Sequence, residues 1–467
     1  MPARLLVVAL DGADGRLLDR ATLDGTLPTL SALRSRGRAW RLSSTPADTD
    51  DSLWASFQYG VGTGEHGRYE CFLDDDYGGR RNAPDEEIDR ETFWDRLSSQ
   101  GHHVAVLDIP KCRRPRALNG IHLADWLVHG RYFPAPVSYP AALAEEIVAR
   151  FGPAPPSRCA YAHRDPIDDA AVKTSLQTLL GSITQKRDAG VHYLSQRMWD
   201  LFAIGFKEAH CCGHLLWEFN DPSHAQYDAE RVARLGNPVL EVMKAQDRAI
   251  GELVAQAGPD AEILVFSPSD FAPNGTLVHL MDAIAARLDH VLSTLGDGGL
   301  FTAPSHVADK PNKYCRLVFY GDAAGALRVP RQPSDTEAGY QRRLELIVEL
   351  ARELVSVDDG LPVVSRVSYP AWEETGQRAA TLPHILLHYR ANAFPSAVSS
   401  PRLGRFSGRV PHMRTGNHAP GGFSIAAGPR AAFAAEHIKT MADFAAFTAT
   451  VLTKHPARDP TVALSHQ

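Results

Sequence analysis

Leu5-Leu6-Val7-Val8-Ala9-Leu10, followed at once by Asp11-Gly12, is the stretch that decides the fold class of this chain. A continuous apolar run, as opposed to an alternating one, is the pattern of a strand covered on both faces, and the Asp-Gly pair ends it in a loop. Working outward, Leu27 to Arg36 has helical spacing with Pro28 in a favoured first-turn position. Glu91 to Ser99 predicts a second helix, stopped at Gly101, that leads into a strand at Val104 to Leu107. Phe202 to Phe206 and Ile263 to Phe266 are further short apolar runs, each behind a long helical pattern. Strand and helix in alternation predict an α/β fold with a central, largely parallel sheet sandwiched by helices.

In such sheets functional groups sit in the loops past the carboxyl ends of the strands. Asp11 follows the first strand, His210 comes shortly after Phe206, and Asp270 follows Phe266. These candidates and His418 are spread so widely that cutting the 467-residue chain would cut the site, so residues 1–467 are expected to form one domain. Segments 110–170 and 275–380, richer in Pro, Gly and charge, read as inserted cap segments, the second with a helix at Gln341 to Leu354.

The composition, 44% hydrophobic and 22% charged, is that of an ordinary globular protein. A formal net charge of −6 gives no global attraction to nucleic acid or anionic lipid, so neither is expected as a partner. The compact basic run Lys111-Cys112-Arg113-Arg114 reads as a solvated loop. Six irregularly spaced cysteines are too few for a secreted disulfide framework. The N-terminal apolar run meets Asp11-Gly12 without a small-residue cleavage site, and no apolar stretch approaches the ~20 residues of a membrane helix. A soluble, cytoplasmic protein is the expectation.

His210-Cys211-Cys212-Gly213-His214 is the sharpest local signal. Histidines at i and i+4 project from one face of a helix and can grip one metal ion. The two cysteines point away from that face and read as small buried residues. By themselves Asp11 and Asp270 also fit turn or cap positions, and His418, in a loop of turn residues before the apolar run Phe423 to Ala427, also fits a surface site.

Several blocks together resemble the type I phosphodiesterase/nucleotide pyrophosphatase branch of the alkaline phosphatase superfamily. Val7 to Gly12 is similar to the family's opening strand and metal-binding Asp. Trp54 to Gly67 resembles W-T-S-F-x-T-G-x-x-P-x-x-H-G, and Phe93 to Pro110 the next helix and strand. Trp199 to Trp217 resembles W-D-L-F followed by T-D-x-x-x-H-x-x-W, and Gly416 to Pro429 resembles G-T-H-x-P-x-G through G-P. The resemblance implies an alkaline phosphatase-like fold and places one metal at His210, His214 and His418, with His210 where the family has Asp. Three imidazoles suit zinc, with iron or manganese acceptable.

For the other half of the centre the resemblance implies Asp11, a hydroxyl nucleophile, and the acid and histidine of S-D-H-G. Asp270 takes the acid position as a metal ligand, and Phe271 stands where the histidine should be. Counting back from Trp54 puts Asp50 at the nucleophile position; a one-residue adjustment puts Thr49 there, and Ser52 is a third candidate. Thr49 would attack phosphorus directly, whereas Asp50 would add a third carboxylate and leave attack to a metal-bound water. Asp48 and Asp51 are expected to be exposed.

The implied function is a hydrolase that uses one or two divalent ions on a small phosphate or phosphonate ester. A repurposed metalloenzyme of redox or lyase chemistry and a non-catalytic relative are the alternatives, because fold does not fix function. His66, His412 and Arg414 flank the matched motifs, where structural roles are expected.

Overall fold

The structure is a computed structural model that describes residues 3–45, 47–70, 72–74, 80–82, 88–129, 133–155, 167–295, 314–321, 324–370, 382–410 and 414–453. Ten strands matter here: β1 (Ala3–Leu10), β2 (Gly37–Arg41), β3 (Val104–Leu107), β4 (Gly120–Ala124), β5 (Val137–Tyr139), β6 (Trp199–Phe206), β7 (Glu262–Ser267), β8 (Asp270–Pro273), β9 (Gly416–Ala419) and β10 (Phe423–Ala427). Eight form one sheet in the order β2-β10-β7-β1-β6-β3-β4-β5. β1 lies at its centre, parallel to β6 and β7. β3 is parallel to β4 and β6, and the antiparallel pairs are confined to the two ends of the sheet.

The apolar run of β1 behaves as a two-faced strand should. Leu6, Val8 and Leu10 enter one core and Leu5, Val7 and Ala9 the other. At ~1.5–3 kcal/mol for each large side chain fully buried, this strand binds both helical layers to the sheet. The first layer includes α2 (Asp169–Gln196), α3 (Glu208–Leu216) and α4 (Pro238–Ala257); the second includes α1 (Asp50–Tyr59) with helices Phe93–Ser99 and Asp443–Thr453.

Segment 110–170, expected as a cap, instead supplies β4 and β5 to the sheet. These strands are short and interrupted by polar residues, so they lack the apolar run that marks β1. The described residues between 277 and 406 build a further layer with its own apolar core. It has an antiparallel sheet ordered Arg316–Gly321, Ala324–Arg328, Ile385–Tyr389, Val364–Ser368 and the helices Val278–Leu295 and Glu337–Arg352. Arg366, His388 and Tyr389 of this layer line a cavity shared with the main sheet. Outside both sheets, β8 and β9 pair as a short antiparallel ribbon in which Phe271 stands opposite His418. No helix among the described residues is long and apolar enough to cross a membrane.

Candidate metal centre

Asp11 is carried to the carboxyl end of β1, where its N–H donates to Phe206 O at 2.8 Å and ties it to the end of β6. The next residue, Gly12, has φ +64° and passes so close to α3 that an added Cβ would lie 2.6 Å from His210 Cα. That approach brings Asp11 Oδ2 within 3.3 Å of His210 Nδ1. Trp54 Nε1 donates to Asp11 Oδ1 at 3.1 Å, which fixes the carboxylate.

All nine residues of α3 are buried, and His210 and His214 share one face with ring centroids 4.6 Å apart. The late loop is pinned to this helix: Thr415 N donates to His214 O at 2.9 Å, and Trp217 N donates to Thr415 Oγ1 at 2.9 Å. His418 is thereby placed with Nε2 3.2 Å from His210 Nδ1. Asp50 completes the group, its Oδ2 3.6 Å from His210 Nδ1 and 3.7 Å from His418 Nε2.

The structure therefore brings together Asp11, Asp50, His210, His214 and His418. Donor atoms of His210, His214 and His418 lie within 4.8 Å of one another, and so do those of Asp11, Asp50, His129 and His210. The donors fit a metal ion. Atoms around a tetrahedral ion at ~2.0–2.2 Å stand roughly 3.3–3.6 Å apart, close to the spacings about His210. His214 Nδ1 meets Gly416 O at 2.8 Å; a carbonyl only accepts, so Nδ1 carries the proton and Nε2 keeps its lone pair. Ser269 Oγ holds His418 Nδ1 at 2.9 Å and turns Nε2 inward in the same way. Asp11 Oδ2 and Asp50 Oδ1 are buried without a hydrogen-bond partner, an arrangement a cation would satisfy.

Electrostatics point the same way. Burial holds His214 well below the ordinary histidine range, and burial opposed by Asp50 takes His418 to about 3, so both rings are neutral, as ligands must be. Burial, and after it the charge of Asp50, raises Asp11. Burial also acts to raise Asp50, but the charges facing it, the Lys111 ammonium first, outweigh burial and hold Asp50 below the carboxylate range.

Asp270 does not join this group. Its carboxylate accepts from Arg41 Nη2 at 2.5 and 2.6 Å and from Gly15 N at 3.2 Å. Successive strand residues face opposite sides, and Phe271 takes the inner side, its ring centroid 4.7 Å from that of His418 and 5.1 Å from that of His214. Asp270 is left on the outer side with the guanidinium.

Thr49 lines the cavity and is also the N-cap of α1: its Oγ1 accepts from Ser52 N at 3.1 Å and donates to Tyr69 O. Ser52 Oγ accepts from Thr49 N at 2.9 Å, completing a capping box. His66 is a structural residue, with Nε2 3.0 Å from Ser56 Oγ and Nδ1 accepting from Arg68 N at 2.9 Å. Arg414 is buried in the cavity wall, and His412 lies outside the described residues.

Two participants had no signal in the sequence. His129 has its ring centroid 3.9 Å from that of His210 and sits at φ +59°. Lys111, expected in a solvated loop, is buried, with Nζ donating to Asp50 and, at 2.9 Å, to Asp51. Asp51 is likewise buried and not exposed. Both corrections have one cause: opposite charges some sixty positions apart neutralise each other inside the protein.

A largely parallel sheet with acids and imidazoles gathered past its strand ends defines an α/β protein of alkaline phosphatase-like architecture. Phosphonoacetate hydrolase from Sinorhizobium meliloti 1021, in complex with phosphonoformate, superposes with a TM-score of 0.53 at 14% identity, covering 97% of this chain and 96% of its own. Murine ectonucleotide pyrophosphatase/phosphodiesterase 5 gives 0.51 at 10% identity, with 96% and 95% covered. No curated protein sequence matches the chain significantly. The sequence profile of the type I phosphodiesterase/nucleotide pyrophosphatase family matches residues 5–324, and the chain belongs to that family.

Proposed function

We propose that this protein is a metal-dependent hydrolase of a small phosphate or phosphonate ester. The observation that carries the proposal is the convergence of His210, His214, His418 and Asp50 in the lining of a cavity of about 280 Å³, with the buried Asp11 beside His210. That volume is near the low end of ligand pockets, ~300–1,000 Å³, and suits a small substrate. Neutral imidazoles with carboxylates favour zinc over harder ions. When bound, the ion supplies Lewis-acid polarisation of a phosphoryl oxygen and neutralises charge at phosphorus.

The protein's own groups do the rest. Gly416 and Ser269 fix the ring orientations of His214 and His418, and Trp54 fixes Asp11, so the donors are organised before ligand arrives. The Thr49 hydroxyl, engaged with Tyr69 O and Ser52 N, primarily shapes the start of α1 and presents Asp50 to the centre. Asp50 adds negative charge on the cavity side of the imidazoles, where an attacking water would be oriented by hydrogen bonding.

The test is hydrolysis of a chromogenic phosphodiester and phosphonate ester by metal-analysed protein. The expected result is zinc in the wild type, with activity and zinc both lost in folded His214→Ala and His418→Ala variants. Equal turnover by metal-free protein would defeat the proposal, and iron with no hydrolysis would favour redox chemistry on the same scaffold.

A further inference from the structure

The donor atoms fall into two overlapping groups that share His210: the three imidazoles, and Asp11, Asp50, His129 and His210. The second group is acidic enough to hold a cation of its own, yet the protein already supplies one. Lys111 leaves the end of β3 through two left-handed residues, Asp108 at φ +52° and Lys111 itself at φ +53°. Such backbone costs an L-residue ~1–2 kcal/mol, and here it directs the side chain into the cavity wall. The ammonium is bonded to Asp50, one of the four donors, and to Asp51 on the same helical turn. The side chain is 3% exposed, so its charge acts with little solvent screening. Asp270, outside the cluster, is satisfied by Arg41 on the far side of Phe271.

We propose that Lys111 is a tethered cation that takes the place of a second metal ion, so that the centre binds one divalent ion per chain and works with one ion and one ammonium. This rests on the metal-dependent reading above and deepens it. An ammonium on a four-carbon stem is a compact point charge. It balances the carboxylates without a coordination shell, and it leaves the ion held by the imidazoles as the exchangeable charge of the cavity.

The experiment is zinc titration of the full-length protein by equilibrium dialysis and elemental analysis, with Lys111→Ala and Lys111→Arg beside the wild type. The expected result is one zinc per chain in the wild type and in Lys111→Arg, and two in Lys111→Ala, whose freed carboxylates accept a second ion. Hydrolysis by Lys111→Ala is expected to fall about 10²-fold when assayed at one zinc per chain and to recover in part with added ethylammonium. Two tightly bound zincs in the wild type would overturn the proposal even if a variant fails to fold, and so would a stoichiometry of one in folded Lys111→Ala. No zinc in the wild type would instead remove the metal-dependent reading itself.

Discussion

Substituting Gly12 by alanine tests whether the close passage of β1 past α3 is what sets the metal centre. Gly12 sits at φ +64°, and its new Cβ would lie 2.6 Å from His210 Cα, 2.9 Å from His210 Cβ and 3.0 Å from the Phe271 ring. Ordinary contact begins near 3.4 Å, so His210 must retreat by roughly 0.8 Å. Metal–ligand bonds tolerate only about 0.2 Å, and His210 Nδ1 is the atom common to the 3.2 and 3.3 Å spacings with His418 and Asp11. The left-handed backbone adds ~1–2 kcal/mol and the crowding ~1–3 kcal/mol. Gly25→Ala is the control, because Gly25 has φ +82° with nothing within 4 Å of the added Cβ, so it carries the backbone strain without the crowding. Urea unfolding should show Gly12→Ala losing ~2–5 kcal/mol against ~1–2 kcal/mol for the control, and elemental analysis should show zinc lost only in Gly12→Ala. Full zinc content in Gly12→Ala, with a stability loss no greater than that of Gly25→Ala, would refute the reasoning.

Thr49→Ala should lower stability by about 1 kcal/mol through loss of the cap and keep most phosphodiester turnover, whereas Asp50→Asn should reduce turnover by ~10²-fold; the opposite ranking in a chromogenic assay would assign attack to the hydroxyl. His122 is buried with neither ring nitrogen hydrogen-bonded, and burial, then Arg113, takes it down to about 3. The unfolded ring takes a proton near pH 6.5, so stability is complete above that pH and falls by ~1.4 kcal/mol per unit as pH drops toward 3. His122→Leu should lose ~2 kcal/mol less than wild type between pH 7 and pH 5, and identical losses in urea titrations would contradict this. Asp108 accepts from Lys186 at 2.6 Å and from Lys207 at 2.8 Å, all three buried; Asp108→Asn removes the carboxylate charge that both ammonium groups bond and should cost ~3–5 kcal/mol in guanidinium unfolding.

The parallel sheet was legible because Leu5 to Leu10 of β1 is an unbroken apolar run, the pattern of a strand buried on both faces. Asp11 and His210 were marked by their places past strand ends, and His214 by helical spacing from His210. His418 needed the family resemblance, since a loop histidine carries no periodicity. Lys111 and His129 were hidden for a different reason: both sit in irregular left-handed backbone, where neither spacing nor propensity signals an inward side chain. Asp270 stands apart from the cluster because a one-residue alternation decides which side of a short strand faces the imidazoles, and the bulk of Phe271 takes the inner side. β4 and β5, at one end of the sheet, were missed because they are short and interrupted by polar residues.

The pairing of β8 with β9 also has a consequence for biosynthesis. His418 lies more than four hundred positions after Asp11, yet the β8–β9 ribbon sets it in the same cluster. A nascent chain that has reached only residue 415 carries β1, β3, β6 and β7 but not this imidazole. In the metal-dependent reading, tight capture of the ion is therefore expected only after β9 has been made.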